Sequence, residues 1–298
     1  MDNCKHTIIS QLAPVYRKLF ENVSFSDLEE IRFRIARPVM LYSHGNFDYL
    51  SKTGDKTSSD ANAKITDRSE MNALAASFCA NSVYAYVNDM KDGFITLRGG
   101  HRVGLAGKCI MKGQDLTNIA DISGINLRIA RAYPGCAQGI LPYLKEKGII
   151  KNTLLVAPPQ CGKTTFLRDL ARIFSASYKT VIVDERSEIA GTYEGMPQFD
   201  IGPQTDVLDR FPKTAGIMLA LRSLSPQIII TDELGGQEDI RALQDAANTG
   251  CRFIASIHGD SLNLEETSRR QLLSLFQVAI LLGRKNNRPD VIKIQNLR

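Results

Sequence analysis

Residues 154–165, LLVAPPQCGKTT, restrict what this chain can fold into more than any other stretch. A short apolar run stops at Pro158 and Pro159. The chain then turns through Gln160, Cys161 and Gly162, and Lys163, Thr164 and Thr165 lead into the helix-like run FLRDLARIF. A buried strand, a tight loop, Gly-Lys-Thr and a helix, in that order, build a socket for phosphate. Consecutive backbone N–H groups curl round the anion, and the helix N-terminus adds partial positive charge. The spacing predicts that Lys163 reaches the β- and γ-phosphates of a nucleotide and that the Thr164 hydroxyl holds Mg2+. The match to G-x-x-x-x-G-K-S/T departs at its first position, where Ala157 stands in place of glycine. If the backbone there needed a positive φ, the methyl would cost about 1 kcal/mol.

At 298 residues, 43% apolar and 23% charged, the chain has the composition of a globular protein with room for two domains. The net charge of +5 is spread out, and no basic tail announces a nucleic-acid binder. One local excess exists between Phe94 and Arg131, where Arg98, Arg102, Lys108, Lys112, Arg128 and Arg131 face only Asp115 and Asp121; that stretch expects an anion. The 6 cysteines are scattered, without C-x-x-C or nearby histidines at ligand spacing, so neither zinc nor a disulfide framework is expected. The start, MDNCKHTIIS, lacks the features of a secretory signal, and no apolar run approaches the ~20 residues that span a bilayer. A cytoplasmic protein that meets membranes through partners is the expectation.

In chain order, residues 5–21 read as a helix interrupted by Pro14. Ile31, Phe33 and Ile35 alternate with Arg32 and Arg34 as a half-buried strand does. Residues 52–63 are loop-like, and 66–90 look helical, with Leu74, Phe78 and Tyr84 on the apolar side and Tyr86 as a further boundary aromatic. Two β-type runs flank Gly99-Gly100, the mark of a hairpin, with Arg98, His101 and Arg102 at its tip. Near Pro134-Gly135 the pattern changes to short apolar runs alternating with helical segments, as in a parallel sheet covered on both faces. A division into residues 1–136 and 137–298 follows.

In the second part, TVIVDERSEIAG ends a strand at Asp184-Glu185 with Glu188 beyond, and QIIITDELGG ends another at Asp232-Glu233. Strand C-termini are where an α/β sheet presents its ligands. Asp232 is expected to hold Mg2+ through its water shell and Glu233 to polarise an attacking water. CRFIASIHG delivers His258 to the same edge, placed to sense the γ-phosphate.

The runs GFITLRGGHRVGLAGK, ISGINLRIARAYPGCA, LLVAPPQCGKTTFLRDLAR, VDERSEIAG, PQTDVLDRFPK and TDELG together resemble the stage III sporulation AA family of endospore-forming bacteria, within the secretion and pilus-motor ATPase superfamily. The resemblance extends from about residue 75 onward. It implies an α/β fold: a RecA-like P-loop NTPase domain, mostly parallel sheet with helices on both faces, preceded by a smaller α+β domain. It also implies an ATP-hydrolysing, ring-forming motor, a hexamer, that uses ATP and Mg2+. Within the family's layout Ala157, Pro158, Pro159, Gln160, Cys161, Gly162, Lys163, Thr164 and Thr165 form the Walker A motif. Asp184, Glu185 and Glu188 match the Asp box, Asp232 and Glu233 Walker B, and His258 the His box. Arg98, Arg102, Arg128 and Arg131 are the candidates for arginines that complete a site in trans. The implied partners are copies of the chain and membrane-embedded sporulation channel proteins, met from the mother-cell side, with no stable nucleic-acid partner. A nucleic-acid-dependent ATPase and a nucleotide-gated scaffold with little turnover are the alternatives.

Overall fold

A computed structural model describes residues 2–79, 93–113, 115–159, 161–262, 271–285 and 288–297. The chain divides into two compact units, Met1–Ala130 and Arg131–Arg298. Residues 131–136 belong with the second unit because its helix holds them. Arg168 donates to the Arg131 carbonyl (2.8 Å), and Asp169 accepts from the backbone N–H of Gly135 (3.0 Å) and Ala137 (2.9 Å).

In the first unit the chain runs α1 (Asp2–Gln11), α2 (Pro14–Arg17), β1 (Glu30–Arg34), β2 (Met40–Ser43), β3 (Asn46–Leu50), β4 (Lys56–Thr57), α3 (Arg68–Phe78), β5 (Ile95–Thr96), β6 (Arg102–Lys112) and β7 (Asp115–Arg128). Pro14 does not bend one helix; it starts a second, at the first-turn position where its missing N–H leaves no bond unmade. Among the described residues the strands form one antiparallel sheet in the order β4-β3-β2-β1-β7-β6-β5. Ile31 and Phe33 point into a core shared with Ile8, Leu12, Tyr16, Leu74, Phe78 and Leu127, while Glu30, Arg32 and Arg34 keep to the other face. A capping box between Asp67 and Glu70 starts α3. Tyr84 and Tyr86 lie outside the described residues.

The second unit continues α4 (Leu141–Leu144), β8 (Lys145–Glu146), β9 (Ile149–Ile150), β10 (Thr153–Ala157), α5 (Lys163–Phe174), β11 (Thr180–Asp184), β12 (Thr205–Asp209), α6 (Lys213–Ser223), β13 (Ile228–Thr231), α7 (Gln237–Asn248), β14 (Arg252–His258), β15 (Val278–Lys285) and β16 (Arg288–Asn296). Its main sheet has the order β12-β11-β13-β14-β10-β15-β16, parallel except for β16. Successive strand residues feed opposite cores. Leu155, Ile182, Ile228 and Ile230 pack with Phe166, Leu167 and Leu170 of α5. Leu154, Val181, Val183 and Ile229 pack with Ile217 of α6 and Leu243 of α7. Burial on both faces is why IIIT and LLVA read as unbroken apolar runs, and each fully buried Leu or Ile contributes about 1.5–3 kcal/mol.

Candidate functional site

The parallel register brings four strand ends to one edge. Ala157 pairs with His258, Val183 with Thr231, and Thr231 with Ala255, so the residues just beyond β10, β11, β13 and β14 are neighbours. Between β10 and α5 the chain passes Pro158, Pro159 and Cys161; Gln160 lies outside the described residues. Gly162 turns the chain into the helix with φ 88°, a conformation a side chain would strain. A Cβ at Gly162 would also stand 2.3 Å from the Pro289 ring, so β16 lies against the loop. Ala157 is the last residue of β10 and has no positive φ, so the cost foreseen for its methyl does not arise.

Lys163 opens α5 with its side chain buried. Its ammonium donates to the carbonyls of Ala157 (3.1 Å) and Pro158 (3.3 Å) and to Nδ1 of His258 (3.0 Å). An ammonium donates only, so the imidazole carries its proton on Nε2 and gives it to Oε1 of Glu233 at 2.8 Å. Oε2 of the same carboxylate is 2.8 Å from Arg186. Lys163, His258, Glu233 and Arg186 thus form one connected row across the sheet edge. Burial lowers the pKa of Lys163, opposed chiefly by the Glu233 carboxylate.

Asp232 is 3% exposed, and its Oδ2 has no hydrogen-bond partner among the described residues. Burial first, and then the Asp184 carboxylate, push its pKa up to about 7, while the charge of Lys213 holds it down. An orphaned buried carboxylate oxygen is a hard donor of the kind a divalent cation such as Mg2+ takes. Asp184 is different. Fully buried, it accepts from the backbone N–H of Glu188 (2.7 Å) and Ala190 (2.9 Å), and it folds the following loop around itself. Burial raises its pKa as well. Glu185 accepts from the buried ammonium of Lys213 at 3.1 Å, and Glu188 lies close enough to Lys163 and Asp232 to act on both electrostatically.

Of the candidate arginines, Arg98 is exposed, and its backbone is bracketed by the Gln11 side chain. Arg102 and Arg128 are register partners on β6 and β7. Arg102 stacks on Phe94 (4.0 Å), and Arg128 lies 3.6 Å from Glu30. His101 does not join them at the hairpin tip: it is buried, and its Nδ1 accepts from the Ala130 N–H at 3.2 Å. Arg131 follows β7 and meets Arg168 through its carbonyl.

Three residues of the site escape a motif-based reading. Arg186 directly follows the Asp184-Glu185 pair, Lys213 is a cation at the start of α6, and Ser256 is a hydroxyl among the apolar residues at the middle of β14. Each looks ordinary in sequence; their shared partner, Glu233, appears only in three dimensions.

The family described as "Sporulation stage III, protein AA" matches residues 2–298. Stage III sporulation protein AA of Bacillus subtilis (strain 168) is 44% identical over 243 residues, covering 80% of this chain and 75% of that protein. Among solved structures, the Legionella pneumophila ATPase DotB superposes with a TM-score of 0.58 at 16% identity, covering 91% of this chain and 77% of that one. The pilus retraction motor PilT with bound ADP gives 0.56 at 16% identity, covering 86% and 74%. At such identities the likeness is one of fold: a RecA-like α/β unit preceded by a smaller unit built on an antiparallel sheet.

Proposed function

Since this chain belongs to the sporulation stage III protein AA family, we propose that it is an ATP-hydrolysing motor of the secretion-ATPase type, assembled as a ring and energising a trans-envelope channel during endospore formation. What supports the enzymatic part is the contact row Lys163–His258–Glu233, which ties the phosphate-loop lysine to the strand-end carboxylate through one imidazole. The three bonds of the Lys163 ammonium go to the carbonyls of Ala157, at the end of β10, and Pro158, just beyond it, and to a ring nitrogen, partners that phosphate oxygens replace at little cost because an anion is the better acceptor. Thr164 and Asp232 would hold Mg2+, which supplies charge neutralisation to the β- and γ-phosphates.

Glu233 orients the water. As the water oxygen bonds to the γ-phosphorus, the bond to the bridging oxygen breaks, Glu233 accepts the proton and ADP keeps the electron pair. His258, bonded to both Lys163 and Glu233, couples the loss of γ-phosphate to the carboxylate. We assign Arg98, Arg102, Arg128 and Arg131 to a neighbouring subunit's site, and channel proteins to the partner role, with the ring working on the mother-cell side. Among the described residues no helix is long and apolar enough to cross a membrane.

Phosphate release by the purified protein, by Lys163→Ala and by Glu233→Gln tests the reading. Loss in both variants supports it, and unchanged release in both removes it. Measuring nucleotide binding and turnover on one preparation separates a motor from a scaffold that binds ATP and barely turns it over. Particle mass with and without ATP tests the ring.

A further inference from the structure

The backbone of Glu233 is left-handed, with φ 36°, a conformation that non-glycine residues seldom adopt. It is pinned from both sides. Its N–H donates to the Ser256 hydroxyl at 3.1 Å, and its carbonyl accepts from the Lys213 ammonium at 2.9 Å. Ser256 is fully buried in β14, and its own carbonyl accepts the next N–H, that of Leu234, at 2.8 Å. The hydroxyl therefore stands where a straight β13–β14 ladder would place a backbone acceptor, and it lets the chain leave β13 at an angle. Lys213 is 4% exposed, and its ammonium also meets Glu185 at 3.1 Å, so it joins the loop after β11 to the turn after β13.

We propose that Ser256 and Lys213 are positioning residues for the reaction. Together they clamp the backbone of Glu233 in its left-handed turn and so aim its carboxylate at the attacking water. The inference rests on the ATPase reading and deepens it. The Ser256 hydroxyl and the Lys213 ammonium meet the N–H and the carbonyl of one and the same residue. Misplacing a catalytic group by about 1 Å costs up to about a hundredfold in rate without weakening substrate binding.

The test measures kcat, KM for ATP and the Kd of a fluorescent ATP analogue for the unaltered protein, Ser256→Ala, Ser256→Thr, Lys213→Met and Lys213→Arg. Expected are losses in kcat of about tenfold for Ser256→Ala and ten- to a hundredfold for Lys213→Met, with KM and Kd within about twofold, as for removal of an interaction that serves the transition state alone. Ser256→Thr, which keeps the hydroxyl, restores most of the rate. Should Lys213→Met fail to fold, the serine pair decides. Unchanged kcat in Ser256→Ala, or a loss of equal size in Ser256→Thr, overturns the proposal while leaving the ATPase reading intact. No phosphate release from the unaltered protein overturns both.

Discussion

His258 accepts a hydrogen bond from Lys163 through Nδ1 at 3.0 Å, and this fixes Nε2 as the ring nitrogen that donates to Glu233. Removing the ring cuts the row at its centre. His258→Ala is expected to lower turnover about tenfold to a hundredfold while ATP binding changes by no more than a few-fold. His258→Asn, whose amide oxygen can accept from Lys163 but whose shorter side chain holds its N–H donors back from the place of Nε2, is expected to resemble the alanine variant in kcat. Steady-state kinetics beside a binding titration check both.

Asp232 gives a pH signature in the nucleotide-free protein. Its carboxyl is raised by burial and by Asp184 to about 7, so the folded state binds its proton more tightly than the unfolded state does. Its contribution to stability is therefore fully present below the ordinary carboxylate range and is lost as pH rises through about 7. Asp232→Asn, neutral at every pH, is expected to raise the melting temperature near pH 8, by ~2–4 °C for each kcal/mol recovered, and to leave it nearly unchanged near pH 4. The same variant should abolish Mg2+-dependent turnover. Thermal melts at the two pH values, without divalent cation, read the effect.

Gly162 answers to two constraints, and a double variant separates them. Gly162→Ala meets both φ 88° and the Pro289 ring, and is expected to abolish nucleotide binding and to lower stability. Adding Pro289→Ala removes the collision but not the backbone strain of about 1 kcal/mol. Stability should recover in part and binding should not, as calorimetry and an analogue titration would show.

Ala157→Gly, which restores the usual first glycine of the motif, is expected to bring no gain. Ala157 is buried in extended backbone, so glycine there adds unfolded-state freedom and removes packing, costing about 0.5–1 kcal/mol with turnover unchanged. Denaturant unfolding together with phosphate release would test it.

The parallel sheet was legible because strands buried on both faces must be apolar throughout, and Ile228, Ile229 and Ile230 could hardly be anything else. The polar residues at the strand ends were legible for the same reason: Asp232 and His258 interrupt such runs abruptly. What local pattern could not carry was pairing across distance. Lys213 and Glu233 are bound by one hydrogen bond that no spacing rule foretells, and Asp184 reads like any strand-end acid until its oxygens are seen folding the next loop. The Pro14 break was visible in sequence but not its consequence, since a proline can kink a helix or begin one.

The strand that leads to Gly162 and Lys163, β10, sits between β14 and β15, and both of these come much later in the chain. During synthesis it must wait, apolar from Leu154 to Ala157 and with both hydrogen-bonding edges bare, until the downstream strands emerge. Such long-range closure makes for slow folding and a sticky intermediate. Early chain release or a translational stall after β10 would leave an aggregation-prone fragment.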